Sequence, residues 1–190
     1  MKEKVIIFSA PSGSGKSTVV GHLLGHFPDT FELSVSATSR APRGQEVDGR
    51  EYWFITPEKF RELIAEVAFV EHEEVYSNVF YGTLKSEVQR IWDAGHCILF
   101  DVDVKGGVNL KRYFGDKALS VFVKAPSVEV LRERLIKRAT DSAENIEIRV
   151  AKAAEEMTYA PQFDLVLVND ELDKCLAEAD AKVGAFLGQK

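Results

Sequence analysis

Nine consecutive residues, Ala10-Pro11-Ser12-Gly13-Ser14-Gly15-Lys16-Ser17-Thr18, combine small side chains, two glycines, a lysine and hydroxyls. Glycines let successive backbone N–H groups curl around an anion with no Cβ in the way. A lysine at this point supplies a charge for β- and γ-phosphates, and the next hydroxyl, Ser17, is a ligand for Mg²⁺. The flanks suit that chemistry. Val5 to Phe8 is an apolar run that reads as a buried strand, and Val20, Leu23, Leu24 and Phe27 fall on one helical face. Strand, loop and helix in that order aim a helix N-terminus, with its unpaired donors and positive dipole end, at the anion. Residues 10–18 are therefore expected to hold the phosphates of a nucleoside triphosphate. Ala10 stands where the strict pattern has glycine, and alanine pays for a positive φ, so a negative φ is expected there.

A second group suggests the acceptor. Arg40 and Arg43 are three apart in a polar stretch, and planar guanidinium groups match phosphate oxygens two at a time. Tyr52 and Tyr81 can each give a hydroxyl to the same phosphate or pack on a base. Glu71 with Ser36 and Thr83 suits guanine: a carboxylate accepts from its adjacent N1–H and N2–H₂ donors, and hydroxyls donate to O6. Adenine offers neither pattern, and a polar site of this kind rejects the wrong base by about 10⁴-fold.

Two carboxylates, Asp101 and Asp103, interrupt the apolar run Cys97 to Val104. At the C-terminal edge of a parallel sheet, where ligands bind, an acid can orient Mg²⁺ directly or through water. Arg134 and Arg138 share a helical face, and Arg149 lies on the next helix across the polar stretch Thr140 to Asn145. Two such helices read either as a lid that carries positive charge to a phosphate or as a solvated face with ion pairs such as Glu129 with Arg132 or Glu133 with Lys137.

Positioning these groups requires alternating strands and helices. Strands are expected at Val5–Phe8, Phe31–Ser36, Glu51–Ile55, Phe69–Tyr76, Cys97–Val104, Leu119–Val123 and Phe163–Val168. Helices are expected after Lys16, after Thr56 (an N-cap followed by Pro57, with Phe60, Leu63, Ile64 and Val67 on one face), over Leu84 to Trp92, from about Val108, from Ser127, around Arg149, and over Leu172 to Leu187. Ala37 to Arg50 reads as a loop and Asn78 to Gly82 as a turn. The fold class is α/β, a parallel sheet with helices on both faces.

A chain of 190 residues suits one domain with small lobes. Its net charge of −6 argues against duplex nucleic acid as a partner, and no apolar run is long enough for a membrane span. Without a visible signal peptide a cytoplasmic setting is expected. Cys97 and Cys175 read as core residues. His22 and His26, four apart on one helix, have a metal-compatible spacing but lack the neighbouring carboxylate of a metalloprotease, so an exposed helix face is expected. Nothing in the pattern decides between a monomer and a homo-oligomer.

The stretch Thr38-Ser-Arg-Ala-Pro-Arg-Gly-Gln-Glu-Val-Asp-Gly-Arg-Glu-Tyr-Trp-Phe54 resembles the signature of guanylate kinases. With the phosphate loop, Glu71, Tyr81-Gly82-x-Leu84, Asp101-x-Asp103 and Val168-Asn169-Asp170, the resemblance spans nearly the whole chain. Lys105 departs from it, standing where glutamine is common. The resemblance implies ATP + GMP ⇌ ADP + GDP with Mg²⁺ on a P-loop NTPase three-layer core, residues 1–35, 84–128 and 158–190. It implies an inserted GMP-binding lobe at about 36–83 and a helical lid at about 129–157. It implies Ser36, Arg40, Arg43, Glu46, Tyr52, Glu71, Tyr81, Thr83 and Asp103 around GMP. Lys16, Arg134, Arg138 and Arg149 would surround the transferred group, Asn169 would lie near the adenine, and Ser17 and Asp101 would meet the metal. A competing possibility is a non-catalytic, guanylate-kinase-like module that binds phosphopeptides; such modules typically lack a working phosphate loop, which is intact here.

Overall fold

The computed structural model describes residues 3–137 and 143–188. Five parallel strands build the central sheet: β1 (Val5–Ser9), β2 (Phe31–Leu33), β7 (Cys97–Val102), β8 (Ala118–Lys124) and β9 (Leu165–Val168). Their order is β2-β7-β1-β8-β9, with β1 in the middle, so Val5 sits between Ile98 and Ala118. A strand buried on both faces must be apolar throughout, which accounts for the unbroken run from Val5 to Phe8.

Alternation along β1 assigns the layers. Ile6 and Phe8 pack with Val20 and Leu23 of α1 (Lys16–His26) and with Ala179 and Val183 of α7 (Leu172–Leu187). Val5 and Ile7 point the other way, against Val88 and Ile91 of α3 (Lys85–Asp93) and Leu110 and Phe114 of α4 (Val104–Phe114). The result is three layers, helices on either side of the sheet.

A second sheet has the order β4-β3-β6-β5, built from β3 (Ala37–Thr38), β4 (Trp53–Phe54), β5 (Phe69–Tyr76) and β6 (Val79–Leu84). Helix α2 (Pro57–Ala65) covers it. Thr56 caps that helix, its hydroxyl accepting from Lys59 N–H, and Phe60 stacks on Phe69 with ring centroids 4.3 Å apart. Helices α5 (Val128–Lys137) and α6 (Ala143–Met157) pair beyond β8 around Leu131, Leu135, Ile146 and Ala153.

Several expected elements shift. β2 ends at Leu33, and Ala37–Thr38, read as loop, is a strand because β4 and β6 supply its ladders. The expected strand Glu51–Ile55 shrinks to β4. The turn expected over Asn78 to Gly82 is confined to Ser77 and Asn78, between the paired residues Tyr76 and Val79. Gly82 is a strand residue where backbones crowd: a Cβ there would lie 2.7 Å from the Glu71 carbonyl. Val67 lies past α2 with φ 54° and is 67 % exposed, so it leaves the helix face assigned to it. The helix expected from Val108 starts at Val104, because Asp103 ends the strand and caps α4. Leu172 is exposed, and α7 buries Cys175, Ala179, Val183 and Leu187 instead. No helix among the described residues is long and apolar enough to cross a membrane.

Candidate active site

The loop after β1 turns on two glycines in the left-handed region, Gly13 at φ 89° and Gly15 at φ 92°. Ala10 is not among the described residues of positive φ, as expected. Ser14 N–H donates to the Pro11 carbonyl at 3.2 Å, closing the loop, and Lys16 begins α1. The loop borders a cleft of about 900 Å³.

Four parts of the chain meet at this cleft. The loop contributes Ala10, Pro11, Ser12, Gly13, Gly15, Lys16, Ser17 and Thr18. The C-terminal end of β7 contributes Asp101, opposite Phe8 of β1, and Asp103 just beyond it. Tyr52 comes from the segment just before β4, and the α5–α6 pair contributes Arg134, Arg149, Lys152 and Glu156. Lys16 is ion-paired with Asp101 and donates to the Val102 carbonyl at 2.8 Å. Arg149 donates to the Ser12 hydroxyl. Arg138 lies outside the described residues.

The far end of β9 braces the loop. Asn169 Nδ2 donates to the Ser14 carbonyl at 2.9 Å, and both residues are buried. Arg134 Nη2 in turn donates to the Asn169 carbonyl at 2.8 Å. Asn169 thus touches the phosphate loop and an arginine of the helical pair at once.

Of the residues expected around GMP, Arg40, Arg43, Glu46, Tyr52 and Tyr81 form a second cluster beside the small sheet. Arg40 lies over the Tyr52 ring, 5.1 Å from its centroid, and its Nε donates to the Tyr81 hydroxyl at 3.0 Å. Glu46 accepts from both ends of the same guanidinium, at 2.7 and 3.0 Å, and from Arg43 N–H at 2.7 Å. Those contacts hold the Glu46 carboxyl down to about 2, the Arg40 hydrogen bonds first. Arg43 joins through its backbone, its side chain exposed. Ser36 is half-buried and its carbonyl accepts from Trp53 N–H at 2.9 Å.

Glu71 and Thr83 are cross-strand partners, and the Thr83 hydroxyl donates to Glu71 Oε1 at 3.0 Å. Burial is the first cause of a Glu71 pKa raised to about 7; the Thr83 bond opposes it and Asp103 adds to it. Asp103 accepts from Gly106 N–H at 2.7 Å as the cap of α4, and its carbonyl accepts from the Ser9 hydroxyl at 2.9 Å. One short turn at Asp103 therefore ties the start of α4 to the strand that leads into the loop.

A family model described as guanylate kinase matches residues 2–184. The chain belongs to the guanylate kinase family. A guanylate kinase of Bacteroides fragilis is 52% identical over 185 residues, covering 97% of this chain and 90% of that one. One of Porphyromonas gingivalis is 52% identical over 186 residues, covering 98% and 99%. The crystal structure of guanylate kinase from Anaplasma phagocytophilum is similar with a TM-score of 0.70 and 25% identity, over 96% of this chain and 85% of that one.

Beside the residues that the guanylate kinase signature suggested, the cleft includes Lys152 and Glu156. They follow Arg149 by three and seven positions on α6. That helical spacing was a usable signal, since Arg149 already marked the face. Burial pushes the Glu156 carboxyl up, and Lys152 opposes the shift.

Proposed function

We propose a division of labour for the phosphoryl transfer from ATP to GMP that family membership assigns to this chain. Loop residues 10–18 wrap the ATP phosphates with backbone N–H groups, and Lys16 leaves Asp101 to meet the β- and γ-phosphates. Arg134, Arg138 and Arg149 offset charge on the transferred group, and Asn169 holds the loop in shape while flanking the adenine side. Arg40, Arg43, Tyr52 and Tyr81 take the GMP phosphate, with Glu46 fixing the arginines. Glu71, Thr83, Ser36 and Asp103 read the guanine.

The hydroxyl of Ser17 and the carboxylate of Asp101 are hard oxygen donors beside one cleft, a set that fits Mg²⁺. Bound there, the ion would neutralise charge between the phosphates. No side chain need take a proton, because the GMP phosphate is already anionic. Residues 36–83 act as the acceptor lobe and 129–157 as the lid; their closure aligns the phosphates and excludes water. The cytoplasm is the proposed compartment.

The observation that carries this reading is the single cleft shared by Lys16, Asp101, Tyr52, Arg134 and Arg149, drawn from four separate parts of the chain. An intact loop with its lysine favours the enzyme over a phosphopeptide-binding module. The test is ADP formation from MgATP with GMP, AMP, UMP and CMP offered separately. Turnover with GMP alone supports both the chemistry and the guanine role of Glu71. Turnover with another acceptor sinks the base reading, and binding of GMP without turnover moves the chain to the binding-module class.

A further inference from the structure

Helix α1 carries two histidines that the nucleotide cleft does not use. His22 and His26 stand one turn apart, their rings stacked with centroids 5.4 Å apart and planes 24° from parallel. The carboxylate missing from their sequence neighbourhood comes from α7. His22 Nε2 lies 3.0 Å from both oxygens of Asp180, 158 residues away. One ligand atom from each of the three residues falls within 4.8 Å of the others. Beneath them, Val20 and Leu23 of α1 share an apolar cluster with Ala179 and Val183 of α7, so two packed helices frame the group.

We propose that His22, His26 and Asp180 form a site for a divalent transition ion with the ligand preferences of zinc, clipping α1 to α7. Two imidazole nitrogens and one carboxylate suit such an ion, whereas Mg²⁺ asks for oxygen alone. Bonds of about 2.0–2.2 Å in a tetrahedron put ligand atoms roughly 3.4 Å apart. The His22–Asp180 pair at 3.0 Å is within a few tenths of an ångström of that spacing. His26 is exposed and swings at little cost; water fills the fourth position. The ion takes the place of the His22–Asp180 hydrogen bond, bound by His22 Nε2 in the neutral tautomer whose single N–H is at Nδ1. Since α1 begins at Lys16, the ion ties the helix carrying that lysine to the last helix of the fold.

The test uses tag-free, nucleotide-free full-length protein with millimolar Mg²⁺ present throughout. Thermal melts are recorded while Zn²⁺ is titrated, and visible absorption is recorded with Co²⁺ as a coloured substitute. The wild type is expected to melt about 5–10 °C higher when Zn²⁺ reaches a hundredfold excess over its Kd. It is also expected to give a visible band of low-symmetry Co²⁺. His26→Ala and Asp180→Asn each lose at least the ~10–100-fold in metal affinity that loss of an outer-shell partner already costs, together with the band. Their ADP-forming activity without added Zn²⁺ stays at the wild-type level. Wild-type affinity retained by either variant overturns the site. So does a wild type with no shift and no band, which would leave His22 and Asp180 as a simple hydrogen-bonded pair.

Discussion

Glu46 grips Arg40 fork to fork, Oε2 accepting from Nη1 at 2.7 Å and Oε1 from Nη2 at 3.0 Å. The arginine expected to meet a phosphate is thus already aimed by a carboxylate six residues later, and Tyr81 holds its third edge. Such an arrangement spends little rotamer freedom at the moment of binding.

Glu46→Ala should therefore act on GMP capture more than on chemistry. The expected result is a KM for GMP raised about tenfold with kcat changed less than twofold, since an aiming group contributes to uniform binding. Steady-state kinetics with GMP varied at saturating MgATP checks it. An unchanged KM would show that Arg40 needs no such partner.

Arg149 should behave in the opposite way. It reaches Ser12 across the mouth of the loop from a helix of the α5–α6 pair. Arg149→Ala is expected to lower kcat by on the order of 10³-fold, with a much smaller change in the KM for GMP, as for an arginine that meets charge mainly in the transition state. A kcat near wild type would remove it from the transferred group.

Glu71 makes stability depend on pH in a predictable direction. Its carboxyl ionises near 4.5 when unperturbed and near 7 in the folded chain, because burial disfavours the charge. Between those values the folded state holds more protons than the unfolded one. The Glu71 contribution is therefore full below about 4.5 and declines as pH rises through about 7. Glu71→Gln should raise the melting temperature of the unliganded protein relative to wild type at pH 8 but not at pH 4. An equal difference at both pH values would assign the effect to something other than ionisation. GMP binding to the wild type should tighten over the same rise in pH, as the guanine donors favour the carboxylate.

Gly15 has no room for a side chain. At φ 92° a Cβ would lie 2.1 Å from Asn169 Nδ2. Gly15→Ala should cost about 2–4 kcal/mol, the left-handed backbone and the broken Asn169 bond together. Urea denaturation checks this. The penalty should shrink in an Asn169→Ala background, where the clash is gone, so a double-mutant cycle that comes out additive would contradict the contact.

Local signals carried much of this architecture. The phosphate loop, the Thr56-Pro57 helix start and the unbroken apolar strands were readable because neighbours in sequence set them. What escaped depended on distant partners. Ala37 and Thr38 form a strand because β4 and β6 lie on either side, and β6 itself was hidden by Gly82, whose role is close backbone approach rather than turning. Asp103 is expected inside a strand that runs to Val104, yet the strand ends at Val102 and the Asp103 carboxylate caps a helix that contains Gly106 and Gly107. The acceptor side was read from residue types alone, while the bond from Asn169 to the Ser14 carbonyl gave no signal, since asparagine at a strand end announces no partner. His22 and Asp180 illustrate the same limit: half a constellation sits on one helix and the other half on the last.

The Asn169–Ser14 bond also orders events during synthesis. The loop is translated first and its brace 155 residues later, a lag of roughly eight to thirty seconds at about 5–20 residues per second. Through that interval the nascent chain carries the loop without this support, which arrives only when β9 docks on β8. A message cut short before that codon would yield a product with the signature intact and the loop unbraced.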